Sequence, residues 1–167
     1  MASPTEPVRS DRLTLTPLRV ADAGEMVEVL SDNGLYAYTG GSPPDLEELR
    51  SRYGYQVAGP SSGRQTWHNW ILRLAGSGMA IGFVQATVEG RSADVAWLVG
   101  WAWQGRGFGT EAAAAMCAWL AERGVETFTA HIHPDNQASA RLAGALGLRP
   151  TGAVDDEGEQ IWSSRSA

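Results

Sequence analysis

The run Trp103-Gln104-Gly105-Arg106-Gly107-Phe108-Gly109-Thr110-Glu111-Ala112 sets three alternating glycines directly before a helical pattern. Glycines there let backbone amides approach a phosphate without interference from Cβ atoms, and the helix N-terminus that follows favours an anion. The spacing therefore predicts a phosphorylated ligand on this loop. What the loop lacks narrows the choice. Thr110 stands where a dinucleotide fingerprint needs glycine, and no lysine follows the last glycine as a nucleotide P-loop requires. All 13 basic residues of the chain are arginine, so Walker-type ATP hydrolysis and an internal Schiff base are both excluded. A pyrophosphate held by amides and the charge of Arg106 fits a ligand whose reacting atoms lie elsewhere.

The elements around the loop must position it. Ala112, Ala115, Met116, Trp119 and Leu120 recur at helical spacing, and Arg123 and Gly124 supply a last-turn cation and a C′ glycine. Upstream, Leu13-Thr14-Leu15-Thr16 alternates as a half-buried strand over 12–18. Asp22 with Glu25, and Ser42 with Asp45, read as capping boxes for two helices. The first runs to about Leu30, and the second buries a stripe of Leu46, Leu49, Tyr53 and Val57. Between them, the turn-rich stretch 31–41 carries Tyr36 and Tyr38 on a loop suited to a binding rim. Residues 67–75, 80–89 and 92–99 read as strands joined by short hairpins. A strand at 127–132, a helix at 136–146 closed by Gly147, and a hairpin turning at 155–158 complete a mixed α/β sheet.

Composition bounds the possibilities further. A chain of 167 residues suits one domain over 11–167, behind a frayed tail at 1–10 that has neither the apolar core of a signal peptide nor that of a membrane anchor. Thirteen basic against 19 acidic residues give a formal charge of -6, which disfavours nucleic acid and suits a cationic partner. The lone Cys117 forms no internal disulfide, and a reducing cytoplasm fits it.

Three separated stretches resemble the GNAT superfamily of acyl-CoA-dependent N-acyltransferases. Gln104-Gly105-Arg106-Gly107-Phe108-Gly109 matches the Gln/Arg-x-x-Gly-x-Gly/Ala pattern, and the order of elements matches over nearly the whole chain. Trp103 to Ala112, Arg12-Leu13-Thr14-Leu15 and Pro134-Asp135-Asn136-Gln137-Ala138-Ser139 are similar to the branch that contains the ribosomal-protein α-amino acetyltransferases. The resemblance implies a central sheet of about seven strands with about four helices, splayed between the strands at 92–99 and 127–132. It implies acetyl-CoA as co-substrate, with no metal. The amides of Gln104, Gly105, Arg106, Gly107, Phe108, Gly109 and Thr110 would hold the pyrophosphate, and Leu98, Val99 and Asn136 would meet the pantetheine arm. Asn136 is also a natural helix N-cap.

The implied reaction moves an acetyl group from a thioester to a primary amine, which needs a neutral amine, a polarised carbonyl and a proton for the departing thiolate. Asp94 is the candidate base, because it lies on the strand before the loop, where many relatives carry glutamate. Alternation sets Asp94, Ala96 and Leu98 on one face and Val95, Trp97 and Val99 on the other, and leaves open which face meets the cleft. A solvated charge at a hairpin end is the plainer reading of Asp94. Some relatives use a tyrosine after the Asn136 motif, but Ala140-Arg141-Leu142-Ala143-Gly144 offers none. Ser139, matching a serine of the ribosomal-protein branch, is the candidate partner for the sulfur; a mid-helix serine can instead bond a backbone carbonyl. Tyr36, Tyr38, Trp97 and the acidic turn 155–159 are candidate acceptor contacts. His131 and His133 alternate on one strand without the further ligands a zinc site needs. The acceptor is then a protein N-terminus or a small amine, with no nucleic acid or membrane involved, and the protein a monomer or homodimer. An antibiotic-type amine and a non-catalytic acyl-CoA sensor are the competing readings.

Overall fold

The computed structural model describes residues 3–165. Its strands are β1 (Val8–Arg9), β2 (Leu13–Pro17), β3 (Gln65–Leu74), β4 (Ala80–Glu89), β5 (Ser92–Val99), β6 (Thr127–Ile132), β7 (Arg149–Val154) and β8 (Gln160–Ser163). The α-helices are α1 (Ala23–Val29), α2 (Leu46–Ala58), α3 (Phe108–Glu122) and α4 (Gln137–Ala145). All eight strands join one mixed sheet in the order β1-β2-β3-β4-β5-β6-β8-β7, and only β5 and β6 run parallel. Among the described residues, no helix is long and apolar enough to cross a membrane.

Strand alternation builds two cores. Ala93, Val95, Trp97 and Val99 of β5 join Leu13, Leu15 and Trp70 beneath Phe108, Ala112, Met116 and Leu120 of α3 and Ala143 of α4. Leu98 and Phe83 turn the other way, to Met26, Leu49 and Tyr53 of α1 and α2. Asp94 and Ala96 therefore share the α1/α2 face of the sheet. The strand periodicity at 92–99 left that choice open, because it separates the two faces without naming what covers each.

The structure corrects several sequence-based expectations. Residues 5–9 of the expected tail are docked: Val8 pairs with Leu15, the Trp70 indole donates to the Glu6 carbonyl at 2.8 Å, and Arg123 reaches the Glu6 carboxylate at 2.8 Å. A buried indole needs a partner for its N–H, and the tail's backbone supplies it. Residues 1–2 lie outside the described residues. Asp22 caps no partner through Glu25; its side chain, almost wholly buried, accepts from the Arg19 amide at 2.8 Å and from Arg73 Nη2 at 3.0 Å. Helix α2 is capped by Asp45, whose carboxylate accepts from the Glu48 amide at 2.8 Å, with Ser42 outside the helix. Val57, in its last turn, is exposed.

Two features shape the middle of the sheet. β5 and β6 pair only at Ser92 with Thr127, Ala93 with Phe128 and Asp94 with Thr129, and beyond Asp94 they part. On its other edge β5 stays paired with β4 as far as Val99 opposite Gly82. A Cβ on Gly82 would collide with the Leu98 carbonyl oxygen, a backbone atom that cannot swing aside. Gly82→Ala is expected to cost about 3 kcal/mol, the upper range for overpacking. That corresponds to a fall in Tm of roughly 6–12 °C for a chain of this size. A melting curve like that of the wild type would show that β4 and β5 tolerate separation there.

Candidate active site

Past β5 the chain makes a 3-10 turn at Trp101–Trp103 and enters α3 through the glycine loop. Gly105 (φ +76°) and Gly107 (φ +81°) take the left-handed conformation that side chains resist. Gly107 is the N-cap of α3, and Glu111 is the first residue whose amide bonds back into the helix, to the Gly107 carbonyl at 3.1 Å. The amides from Gly105 to Thr110 have no acceptor among the described residues. They form a cradle at a helix N-terminus, which fits a pyrophosphate.

Arg12, immediately before β2, holds this cradle. Its Nε lies 2.7 Å from Glu111 Oε1, its amide donates to Glu111 Oε2 at 2.8 Å, and its Nη1 donates to the Arg106 carbonyl at 3.0 Å. The guanidinium also covers the Phe108 ring at 4.2 Å. Burial alone would raise the Glu111 carboxyl, but hydrogen bonds from Ser10 and Arg12 and the Arg12 charge hold it below its ordinary value. The carboxylate thus stays ionised and paired, so its charge is compensated where an anion would bind. The stretch Arg12-Leu13-Thr14-Leu15 pointed to a family but not to this role, since Arg12 and Glu111 lie 99 positions apart. Phe108 contributes its amide, while its ring belongs to the core. Gln104 spends its side chain on the Val99 carbonyl at 2.9 Å, tying the loop to β5. Arg106 lies over the Trp103 ring at 5.3 Å and has no ion-pair partner among the described residues.

The cradle opens onto the gap between β5 and β6. The Gly100 amide donates to the Ile81 carbonyl at 2.7 Å. By antiparallel alternation, Leu98 and Ala96 then direct their backbone groups to β4, while Val99 and Trp97 direct theirs into the gap. The Val99 carbonyl is taken by the Gln104 side chain, which leaves the Val99 amide and the Trp97 backbone groups to bond an extended amide-bearing arm as a neighbouring strand would. Leu98 and Val99 accordingly differ: Val99 presents backbone to the gap, and Leu98 packs its side chain toward α1 and α2.

Helix α4 forms the other wall. The Asn136 carboxamide oxygen accepts from the Ser139 amide at 3.1 Å as an N-cap, which leaves its NH2 group to donate elsewhere. The Trp97 indole crosses the gap and donates to Ser139 Oγ at 3.2 Å. A serine oxygen that accepts in this way keeps its own proton to donate. Trp97 therefore sits on the α3/α4 side, apart from the two tyrosines with which the sequence grouped it.

On the α1/α2 face, His131 Nε2 lies 3.3 Å from Asp94 Oδ2, and His131 Nδ1 lies 2.8 Å from Asp155 Oδ2. One imidazole thus bridges two carboxylates from β5 and the β7–β8 turn. Burial pushes the Asp94 carboxyl up, and the opposing His131 charge and Thr129 hydroxyl do not cancel the rise. Burial alone would lower His131, but the Asp155 hydrogen bond and the charges of Asp94, Asp155 and Glu159 hold it above its ordinary value. Glu159 is raised by burial and by its acidic neighbours Asp155 and Glu157. The sequence singled out Asp94, His131 and the acidic turn separately; their meeting depends on β8 pairing with β6. Tyr38 is exposed with its ring centroid 5.3 Å from that of His133, whereas Tyr36 turns its hydroxyl to the Leu30 carbonyl at 2.8 Å. The loop at 31–41, expected to be irregular, contains a 3-10 turn at Asn33–Tyr36.

An amide cradle fit for a diphosphate, leading into a gap between diverging parallel strands with ionisable groups across it, is the arrangement expected of an acyl-CoA-dependent acyltransferase. The chain belongs to the Acetyltransferase (GNAT) domain family, whose model matches residues 12–149. It is an acetyltransferase with acetyl-CoA as co-substrate. Among solved structures, the GNAT-family acetyltransferase of Bacillus anthracis superposes with a TM-score of 0.80 at 18% identity, over 94% of this chain and 96% of that one. RimL, a ribosomal-protein α-N-acetyltransferase in complex with coenzyme A, gives 0.80 at 15% identity, over 95% and 97%. The microcin self-immunity acetyltransferase MccE, in complex with acetyl-CoA and AMP, gives 0.76 at 17% identity, over 92% of each chain. No curated protein matches the chain.

Proposed function

We propose that this protein acetylates a primary amine, a peptide α-amine or a small amine, by direct attack in a ternary complex. The observation that carries the reading is the gap between β5 and β6, with the amide cradle at its mouth, Ser139 on one side and the Asp94–His131 pair on the other. When bound, acetyl-CoA supplies an activated acyl carbon with a thiolate leaving group. The cradle amides and Arg106 hold its diphosphate, while Val99, Trp97 and the free NH2 of Asn136 orient its arm. Asp94 takes the amine's proton, and His131 shares the charge with Asp155. Ser139 Oγ, fixed by the Trp97 indole, directs its hydrogen toward the departing sulfur. A peptide α-amine has a reference pKa of about 7.7–8.0 against about 10.4 for lysine, so a weak base suffices for it, and positioning supplies much of the rate.

Ser139→Ala is expected to lower kcat by about tenfold, in line with the loss of one hydrogen bond worth about 1.4 kcal/mol. Acetyl-CoA binding would remain measurable, and unchanged turnover would remove Ser139 from the mechanism. The function itself is tested by thiol release from acetyl-CoA over a panel of N-terminal peptides, polyamines and aminoglycoside-like amines. Amine-dependent release is expected. Saturable acetyl-CoA binding with no turnover on any amine would identify a sensor instead. RimL, by its name, acts on a protein α-amine, which favours the peptide part of the panel.

A further inference from the structure

Between α2 and the floor formed by β3 and β4 lies a cavity of about 40 Å³. Arg52, Tyr53 and Gln56 reach it from α2, Asn69 and Gln85 from the sheet, and Leu30 closes one side. Two of its polar groups are unsatisfied. Tyr53 is only 4% exposed, yet its hydroxyl has no partner, and Gln56 Oε1 is likewise buried and unpaired. Leaving such a group unpaired costs about 1–3 kcal/mol, and buried polar groups in native proteins nearly always find partners. Arg52 forms no ion pair among the described residues. No carboxylate lines the cavity; the nearby buried Asp22, whose charge acts on Tyr53, is paired with Arg19 and Arg73.

The cavity shares a sheet face with the acid-base pair. Asn69 pairs with Gln85 and Gln85 with Ala96, and the next row along this face holds Trp67, Thr87 and Asp94. Rows on one face are about 6.8 Å apart and strands about 4.8 Å, which puts the cavity roughly 10 Å from Asp94. Ala96, between them, leaves the surface low. Acidic groups mark one end of this path, Asp94 and Asp155, and the unpaired Arg52 marks the other. Burial pushes the Tyr53 phenol up to about 12, so it stays a protonated donor at neutral pH. Gln56 would have to reverse its carboxamide to turn the NH2 to an anion in the cavity.

We infer that the acceptor is dipolar, its amine lying at Asp94 and a carboxylate seated between Arg52, Tyr53 and Gln56. The inference rests on the acetyl-transfer reading above and adds to it the acceptor's second charge. The cavity has room for a carboxylate group, and the rest of the acceptor lies along the open face. Amino-carboxylates and short peptides fit; polyamines and aminoglycosides, which offer only cations, do not.

Triglycine tests this, because three extended residues span about 10 Å and triglycinamide presents the same α-amine without the terminal charge. In the thiol-release assay, kcat/KM for triglycine is expected to exceed that for triglycinamide by at least tenfold, with the difference in KM. Arg52→Gln should bring the ratio close to one. Tyr53→Phe should narrow it without lowering Tm, since the hydroxyl has no partner to lose. Equal wild-type kcat/KM for the two peptides would overturn the subsite and leave acetyl transfer standing. Absence of release with every amine of the panel would defeat the acetyl-transfer reading instead. The subsite is then judged by calorimetric titration of triglycine into the intact protein. Saturable binding lost in Arg52→Gln supports it, and no binding overturns it.

Discussion

Asp94→Asn is expected to lower kcat/KM for a peptide amine by about 100-fold, the lower end of what a positioned general base contributes. The amide keeps the size and the neighbours of the carboxylate but cannot take a proton, so acetyl-CoA binding and Tm should change little. The pH profile separates this role from a structural one. In the wild type, the carboxyl of Asp94 and the imidazole of His131 titrate as a pair, with His131 held above its ordinary value by its acidic neighbours. Removing the Asp94 charge takes away part of what raises His131. The acidic limb of the residual activity should therefore move to lower pH, whereas simple misfolding would scale the whole profile. Wild-type kcat/KM in Asp94→Asn would show that the amine sheds its proton elsewhere.

Gly107→Val should have the larger effect on co-substrate binding. Gly107 has φ +81°, and a β-branched residue is a genuine outlier there. The strain is on the order of 1–3 kcal/mol, and a Cβ would already touch Arg12 Nη2 at 3.4 Å, so the two methyls of valine crowd the guanidinium that pins the loop. The chain relieves both by rotating the peptide units whose amides form the cradle. Calorimetry with acetyl-CoA is expected to show Kd rising about 100-fold, or about 2.8 kcal/mol. Gly105→Ala is the informative companion. Its φ is +76° but a Cβ there meets nothing within 4 Å, so it carries backbone strain alone and should weaken binding much less. Wild-type affinity in Gly107→Val would mean that the diphosphate is not held by these amides.

The sequence resolved what depends on near neighbours. A strand's period, a glycine spacing and a helix cap are set within a few residues, so the spans at 80–89, 92–99 and 127–132 coincide with β4, β5 and β6. The same locality made the glycine loop readable as an anion cradle and the order of elements readable as a mixed sheet. Local chemistry also misled where a distant partner outcompeted it. Asp22 looked like the cap of a helix that follows it, whereas its carboxylate accepts from the Arg19 amide three residues earlier and is shared with Arg73, 51 positions away. Residues 5–9 looked like a tail until the Trp70 indole and Arg123 gave them partners.

Alone, the amino-acid order determined that a glycine loop with free amides precedes α3 and that the chain folds as an α/β sheet with a parallel crossover, because both follow from short-range geometry. Tertiary structure decided the rest. It turned Asp94 toward α1 and α2 and placed His131 between two carboxylates. It set the Trp97 indole on Ser139 and locked Arg12 onto Glu111. Each of those contacts joins residues between 24 and 99 positions apart. Only the packing of the sheet brings such groups within hydrogen-bond reach.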